Sequence, residues 1–181
     1  MKLKILEEAG FKHALLGISL SYNRPFETED DLNKVYETAK KLAHKEGGHN
    51  KFLESISVWL DIVAPRYWWQ QFATYRIGIT CNSESTMHTI MKRQLSEDDF
   101  ENPLPDIIDF INEYINEKDF ETVKSNLPEG FLQRRIVALN YKVLRHMILQ
   151  RKNHKLKEWR YFISEIYKQI EHPEFLSELE K

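Results

Sequence analysis

The stretch Ser55–Arg76, SISVWLDIVAPRYWWQQFATYR, changes its hydrophobic period midway. Ile56, Val58, Leu60 and Ile62 alternate with Ser55, Ser57, Trp59 and Asp61, the period of a strand with one face in a core. Pro65 closes that strand. Proline suits a first helical turn, so PRYWWQQFATYR reads as a short helix with Gly78 where it stops.

Toward the amino end, Ala14–Tyr22 (ALLGISLSY) reads as a strand closed by Asn23, Arg24 and Pro25. Thr28 and Asp31 form a capping-box pattern ahead of a helix whose apolar stripe is Leu32, Val35, Tyr36, Ala39, Leu42 and Ala43. Gly47-Gly48 stops that helix, and His49 follows. Toward the carboxyl end, ITCNSESTMH is polar loop or strand. Leu104–Glu117 is an acidic helix with Ile107, Ile108, Ile111, Tyr114 and Ile115 inward. Leu127-Pro128 is expected to open a long helix carrying Leu132, Ile136, Leu139, Val143 and Met147, and a last helix runs from about Lys155 to Ile170. With no internal repeat, low-complexity tract or linker, residues 1–181 are expected to form a single α+β domain.

At 181 residues the chain is long enough to bury a core without disulfides or a structural metal. A composition 41% hydrophobic and 30% charged, with mean hydropathy -0.56, excludes disorder and is that of a soluble globular protein. No apolar run approaches the roughly 18–20 residues of a membrane span, and MKLKILEEAGF turns acidic before a signal-peptide core can form. A lone Cys81 fits a reducing compartment, so a cytoplasmic location is expected, with no metal site and no membrane partner.

The formal net charge of -2 argues against an indiscriminate nucleic-acid coat, and nucleic acid is not the expected partner. The charge is nonetheless segregated. Glu97–Glu121 holds ten acidic residues against one basic, whereas Gln133–Arg160 holds nine basic residues against one acidic, a phosphate-attracting surface in the carboxyl third. P-loop, GxGxxG, HExxH and GxSxG signatures are all absent. Tyr67, Trp68, Trp69 and Phe72 suit either helix packing or a stacking platform for bases. Gln70 and Gln71 are either solvated or able to read a pyrimidine edge through one donor and one acceptor. Lys142, Arg145, Arg151 and Lys152 are either a wet helix face or a binding surface.

Read in order, GHNKFLES (Gly48–Ser55), the strand, APRYWWQQFATYR (Ala64–Arg76) and NSES (Asn82–Ser85) form a series of motifs. The series resembles the flavin-dependent thymidylate synthases, the thymidylate synthase-complementing or ThyX family. Members show a Gly-His followed five residues later by Glu-His, a strand, a helix often opened by Ala-Pro, and the signature R-H-R-x-x-S-x-N-E-x-S-x-R. Here the spacing from His49 through Glu54 to Arg76 matches without a gap. The family's Leu-Pro, N-x-R-x-L and later Leu-Arg correspond to Leu127-Pro128, to Asn140, Lys142 and Leu144, and to Arg151. The chain departs from the pattern at Thr74-Tyr75, at an inserted residue before Thr80, at Ser83-Glu84, at Met87, at Ser55 and at Lys142.

The resemblance implies a ThyX-like fold, a mostly antiparallel sheet flanked by long helices, that binds FAD and a pyrimidine nucleotide. It assigns FAD contacts to His49, Arg76, Asn82 and Ser85. It assigns substrate contacts to Gln71, Ser83, Glu84, Lys142, Arg151 and, across one gap, Lys168. NADPH and methylenetetrahydrofolate are the implied cosubstrates. No side-chain nucleophile is required, because the cofactor carries the hydride chemistry and the protein orients it. A homotetramer with flavin sites built from several subunits is also implied, its interface covering aromatic residues near Trp68 that are expected to be exposed. Three functions stay open: one-carbon transfer to C5 of dUMP or a similar deoxynucleotide, a related flavoenzyme with another nucleotide or one-carbon product, and a flavin-free nucleotide- or nucleic-acid-binding descendant. Bound flavin separates the last from the first two.

Overall fold

The computed structural model describes residues 1–45 and 47–177. Among them the chain runs β1 (Lys2–Ala9), α1 (Phe11–Ser21), α2 (Glu29–Ala43), a 3₁₀ turn (Lys51–Ser55), β2 (Ser57–Pro65), α3 (Arg66–Phe72), β3 (Thr80–Ser83) and α4 (Thr86–Thr89). It continues through α5 (Pro105–Asn116), α6 (Phe120–Asn126), β4 (Leu132–Asn140), α7 (Tyr141–Arg151) and α8 (Lys157–Gln169). The strands form one four-stranded antiparallel sheet in the order β1-β2-β4-β3, the α+β arrangement expected. No helix among the described residues is long and apolar enough to cross a membrane.

The backbone groups into two compact units. The first comprises Met1–Lys2, Asp61–Arg76 and Cys81–Ile136, and the second comprises Leu3–Leu60, Ile77–Thr80 and the chain from Val137 on. The core of the first unit gathers Ile90, Leu95, Phe100, Ile108, Ile111, Ile115, Val123 and Leu127. Trp68, Trp69 and Phe72 of α3 are also buried. In the second unit, Leu15 and Ile18 of α1, Val35 and Ala39 of α2, Leu144 and Met147 of α7, and Trp159, Phe162 and Ile166 of α8 are all buried.

Several elements form as their residues dictate. Strand β2 buries Val58, Leu60, Ile62 and Ala64, the alternation read from the sequence. Helix α2 begins at the Thr28 capping box: the Thr28 hydroxyl accepts from the Asp31 backbone N–H at 3.2 Å, and the Asp31 carboxylate accepts from the Thr28 N–H at 3.1 Å. Helix α3 begins one residue later than expected, with Pro65 as its N-cap rather than in its first turn. In α5, Ile107 lies 38% exposed rather than inward, while Ile108, Ile111 and Ile115 are buried.

Three expectations are corrected. Ala14–Tyr22 is not a strand; Phe11–Ser21 forms α1, burying Ala14, Leu15, Ile18 and Ser19, a helical spacing that the brief ISLS alternation masks. The strand of the amino end is instead Lys2–Ala9. Leu127-Pro128 does not open a long helix: β4 runs Leu132–Asn140, burying Val137 and Leu139 in alternation, and only then does α7 begin. The aromatic residues near Trp68 are not exposed. Trp68, Trp69 and Phe72 are 0–2% exposed and fill the core, so helix packing is their role.

Gly10 caps α1 in the left-handed region at φ 93, and a Cβ there would lie 2.2 Å from the Ser55 carbonyl oxygen. Left-handed strain and overpacking together make Gly10→Ala cost on the order of 2–5 kcal/mol, read as a lower denaturant midpoint. A midpoint equal to the parent's would contradict this close approach.

Tyr36 donates its hydroxyl to the Glu174 carboxylate at 2.5 Å, and burial together with that carboxylate pushes its pKa up to about 12. A raised pKa here means that folding favours the neutral phenol. The stabilisation is therefore complete below the ordinary tyrosine value of about 10 and is lost as pH rises toward about 12. The midpoint difference between the parent and Tyr36→Phe should narrow over that window; a constant difference across it would contradict the assignment.

Candidate functional site

In the first unit, α3 is fixed from both ends. Trp69 Nε1 donates to the Gln133 carbonyl at 2.9 Å, and the Arg135 guanidinium lies 4.5 Å from the Trp69 ring centroid. Arg66 donates to the Leu127 carbonyl at 2.7 Å, and Gln70 donates to the Glu129 carboxylate at 2.8 Å. Gln70 is thus engaged within the protein, while Gln71 is half-buried at the end of the same helix.

Beyond α3 the chain turns outward. Thr74 and Arg76 are exposed, and Ile77 is 88% exposed. All four residues of β3, Thr80–Ser83, are exposed, as is Glu84, with Ser85 half-buried. The backbone of this run is nonetheless anchored: the Glu84 N–H donates to the Arg134 carbonyl at 2.9 Å, and Gln133 Nε2 donates to the Glu84 carbonyl at 3.1 Å. Arg134 in turn grips Asp61 through two parallel bonds of 2.9 and 2.6 Å. The structure therefore presents Arg76, Asn82, Ser83, Glu84 and Ser85 along one accessible segment of this unit.

In the second unit a cavity of about 790 Å³ opens between α1, the end of α2 and the 3₁₀ turn. Its polar lining is His13, Ser21, Tyr22, His49, Lys51 and Glu54. His13, Gly17 and Ser21 follow one another at four-residue steps along α1, so they share a face. A Cβ at Gly17 would meet nothing within 4 Å, which leaves that wall open. Of this lining, His49 alone was assigned a ligand contact from sequence. His13, Ser21, Tyr22 and Lys51 were missed because Ala14–Tyr22 was taken as a strand. The four-residue spacing of His13, Gly17 and Ser21 is the signal that finds them.

The cations assigned to substrate in this unit have partners of their own. The Lys142 ammonium meets the Glu54 carboxylate, which also lines the cavity. Asn140 caps α7, its Oδ1 accepting from the Val143 N–H at 3.0 Å, and so fixes the helix turn from which Lys142 projects. The Arg151 guanidinium lies 5.0 Å from the Trp159 ring centroid. Lys168 pairs with Glu165 at 2.6 Å on the exposed surface of α8. Among the described residues no group of three or more His, Cys, Asp or Glu side chains is placed to hold a metal ion.

Chemically, the arrangement offers cationic, imidazole, hydroxyl and amide groups and no activated nucleophile. A cavity of this size lies in the range of small-molecule and cofactor sites. Arg76 supplies a planar fork suited to phosphate.

A search of curated proteins finds no match. Two solved structures of flavin-dependent thymidylate synthase ThyX from Helicobacter pylori, with FAD and dUMP, are similar in fold. One has a TM-score of 0.79 at 17% identity and the other 0.83 at 14%, each alignment covering 97% of this chain and 97% of that structure's chain. At such identities the likeness is one of fold. The family described as thymidylate synthase complementing protein matches residues 11–173, nearly the whole chain, with the cavity lining and the accessible Arg76–Ser85 segment both inside the match. The chain belongs to the thymidylate synthase complementing protein family.

Proposed function

We propose that this protein is a flavin-dependent thymidylate synthase that transfers a one-carbon unit to C5 of dUMP or a similar pyrimidine deoxynucleotide, acting in the cytoplasm as a homotetramer of one ThyX-like domain. The observation that carries the reading is the family match over residues 11–173. Further support comes from the fold shared with structures that hold FAD and dUMP.

The residues present fit FAD. The cavity that includes His49 has the volume of a cofactor site, with an open glycine wall and hydroxyl and cationic groups around it. Arg76, Asn82 and Ser85 lie on an accessible segment with donors for phosphate and ring edges. In the homotetramer, the accessible segment of one subunit and the cavity of another complete a flavin site. FAD supplies the hydride, with NADPH as reductant and methylenetetrahydrofolate as one-carbon donor. The protein's part is to bind, orient and polarise. His49, Arg76, Asn82 and Ser85 hold the cofactor, and Gln71, Ser83, Glu84, Lys142, Arg151 and Lys168 face the nucleotide. Gln71 is suited to the pyrimidine edge, which pairs one donor with one acceptor.

One observation favours a neighbouring reading, a related flavoenzyme with a different nucleotide. Thr74 and Met87 bring no charge to two positions where the family signature has arginine, and both are exposed.

Titration of FAD into the parent protein and Arg76→Ala tests the cofactor assignment. Loss of one charged hydrogen bond is worth about 1.5–3 kcal/mol, so the variant should bind FAD roughly ten- to a hundredfold more weakly. Equal affinity would remove Arg76 from the site. With dUMP, methylenetetrahydrofolate and NADPH, formation of dTMP supports the synthase; FAD binding with dUMP left unchanged supports the different-nucleotide reading.

A further inference from the structure

We infer that Glu54 is a specificity-determining residue: it occupies the Lys142 ammonium at the edge of the cavity and tilts the site toward a pyrimidine deoxynucleoside of low phosphate charge over a dianionic monophosphate. The inference rests on the pyrimidine-nucleotide reading above and goes further by naming the charge state of the substrate.

The argument begins with the cations available to a phosphate. A phosphate monoester carries about -1.5 to -2 charges at neutral pH and is held by charge-assisted hydrogen bonds. Of the six positions that the resemblance aims at anionic ligand groups, 74 and 87 are Thr and Met, and Met87 is 59% exposed with no charge to offer. Lys168 is paired with Glu165, and Arg151 lies over the Trp159 ring. Lys142 is paired with Glu54. Arg76 is assigned to the cofactor.

Glu54 differs from the other counter-charges because it lines the cavity itself. A phosphate that approaches Lys142 must displace the carboxylate or lie beside it. Displacement alone is a small barrier, since the two side chains are 38% and 54% exposed and such pairs are weak. The larger effect is repulsion: the displaced carboxylate stays tethered to the 3₁₀ turn beside the cavity, close to any dianion there. A neutral deoxynucleoside meets no such repulsion, and its hydroxyls can accept from Lys142 or donate to Glu54.

Calorimetric titration of the protein with FAD in excess, using dUMP and deoxyuridine as the two probes, tests this in the parent, Glu54→Gln and Lys142→Gln. Glu54→Gln keeps the side-chain shape and removes the charge. It should raise the ratio of dUMP to deoxyuridine affinity roughly fivefold or more, while deoxyuridine affinity changes by no more than about twofold. Lys142→Gln should lower the same ratio. A ratio unchanged or lowered in Glu54→Gln, with both probes still bound, overturns the inference and leaves the proposed function standing. A parent that binds neither probe overturns both. Thermal unfolding of each variant at the parent's midpoint confirms that only the site has changed.

Discussion

The buried face of β2 is the constraint on which the other elements depend. Val58, Leu60, Ile62 and Ala64 are all fully buried, and each large apolar side chain so buried contributes about 1.5–3 kcal/mol. Because the side-chain period of a strand is two, a slip of one residue would put Ser57, Trp59, Asp61 and Val63 inward instead. The register is therefore held tightly, and with it both ends of the strand. Glu54 lies just before it in the 3₁₀ turn, and α3 follows directly at Arg66. The segment that carries Arg76 begins where α3 ends. Asp61, on the other face, holds Arg134 of β4, whose backbone carbonyl takes the Glu84 N–H. Polar contacts on one face thus translate the fixed register into a fixed position for the Asn82–Ser85 segment.

How much of this was legible in the sequence depended on whether local pattern and tertiary burial agreed. β2, α2, α5 and α8 were legible because periodicity, caps and stop residues pointed the same way. α1 was not: ALLGISLSY is apolar and briefly alternating, and the residue that decides for helix is Gly10, whose left-handed conformation reverses the chain just before it. The run from Leu132 to Met147 misled in the opposite direction. Leu132, Ile136, Leu139, Val143 and Met147 sit at helical spacing across a strand and a helix joined at Asn140, the residue that caps α7. An N-cap residue in mid-pattern marks the join, with β-branched Ile136 and Val137 ahead of it.

The candidate site divides in the same way. Residues embedded in spaced motifs, such as His49, Arg76 and Lys142, could be picked out from sequence alone. What each touches could not. The pairing of Lys142 with Glu54, 88 residues apart in the chain, and the stacking of Arg151 on Trp159 are products of folding. The electrostatics of the site follow from these partners as much as from the cations themselves. A chain in which the cofactor carries the chemistry needs few residues of fixed identity, so changes in charge around its cavity retune what it accepts without dismantling it.

The central claim is that this fold, with these departures at Thr74, Met87 and Lys142, is still a flavin protein. The most direct test is the visible absorption spectrum of the purified protein after incubation with FAD and gel filtration. The account predicts that the absorption bands of oxidised flavin elute with the protein peak and bleach on addition of NADPH. A protein peak that stays colourless after the same treatment would contradict it.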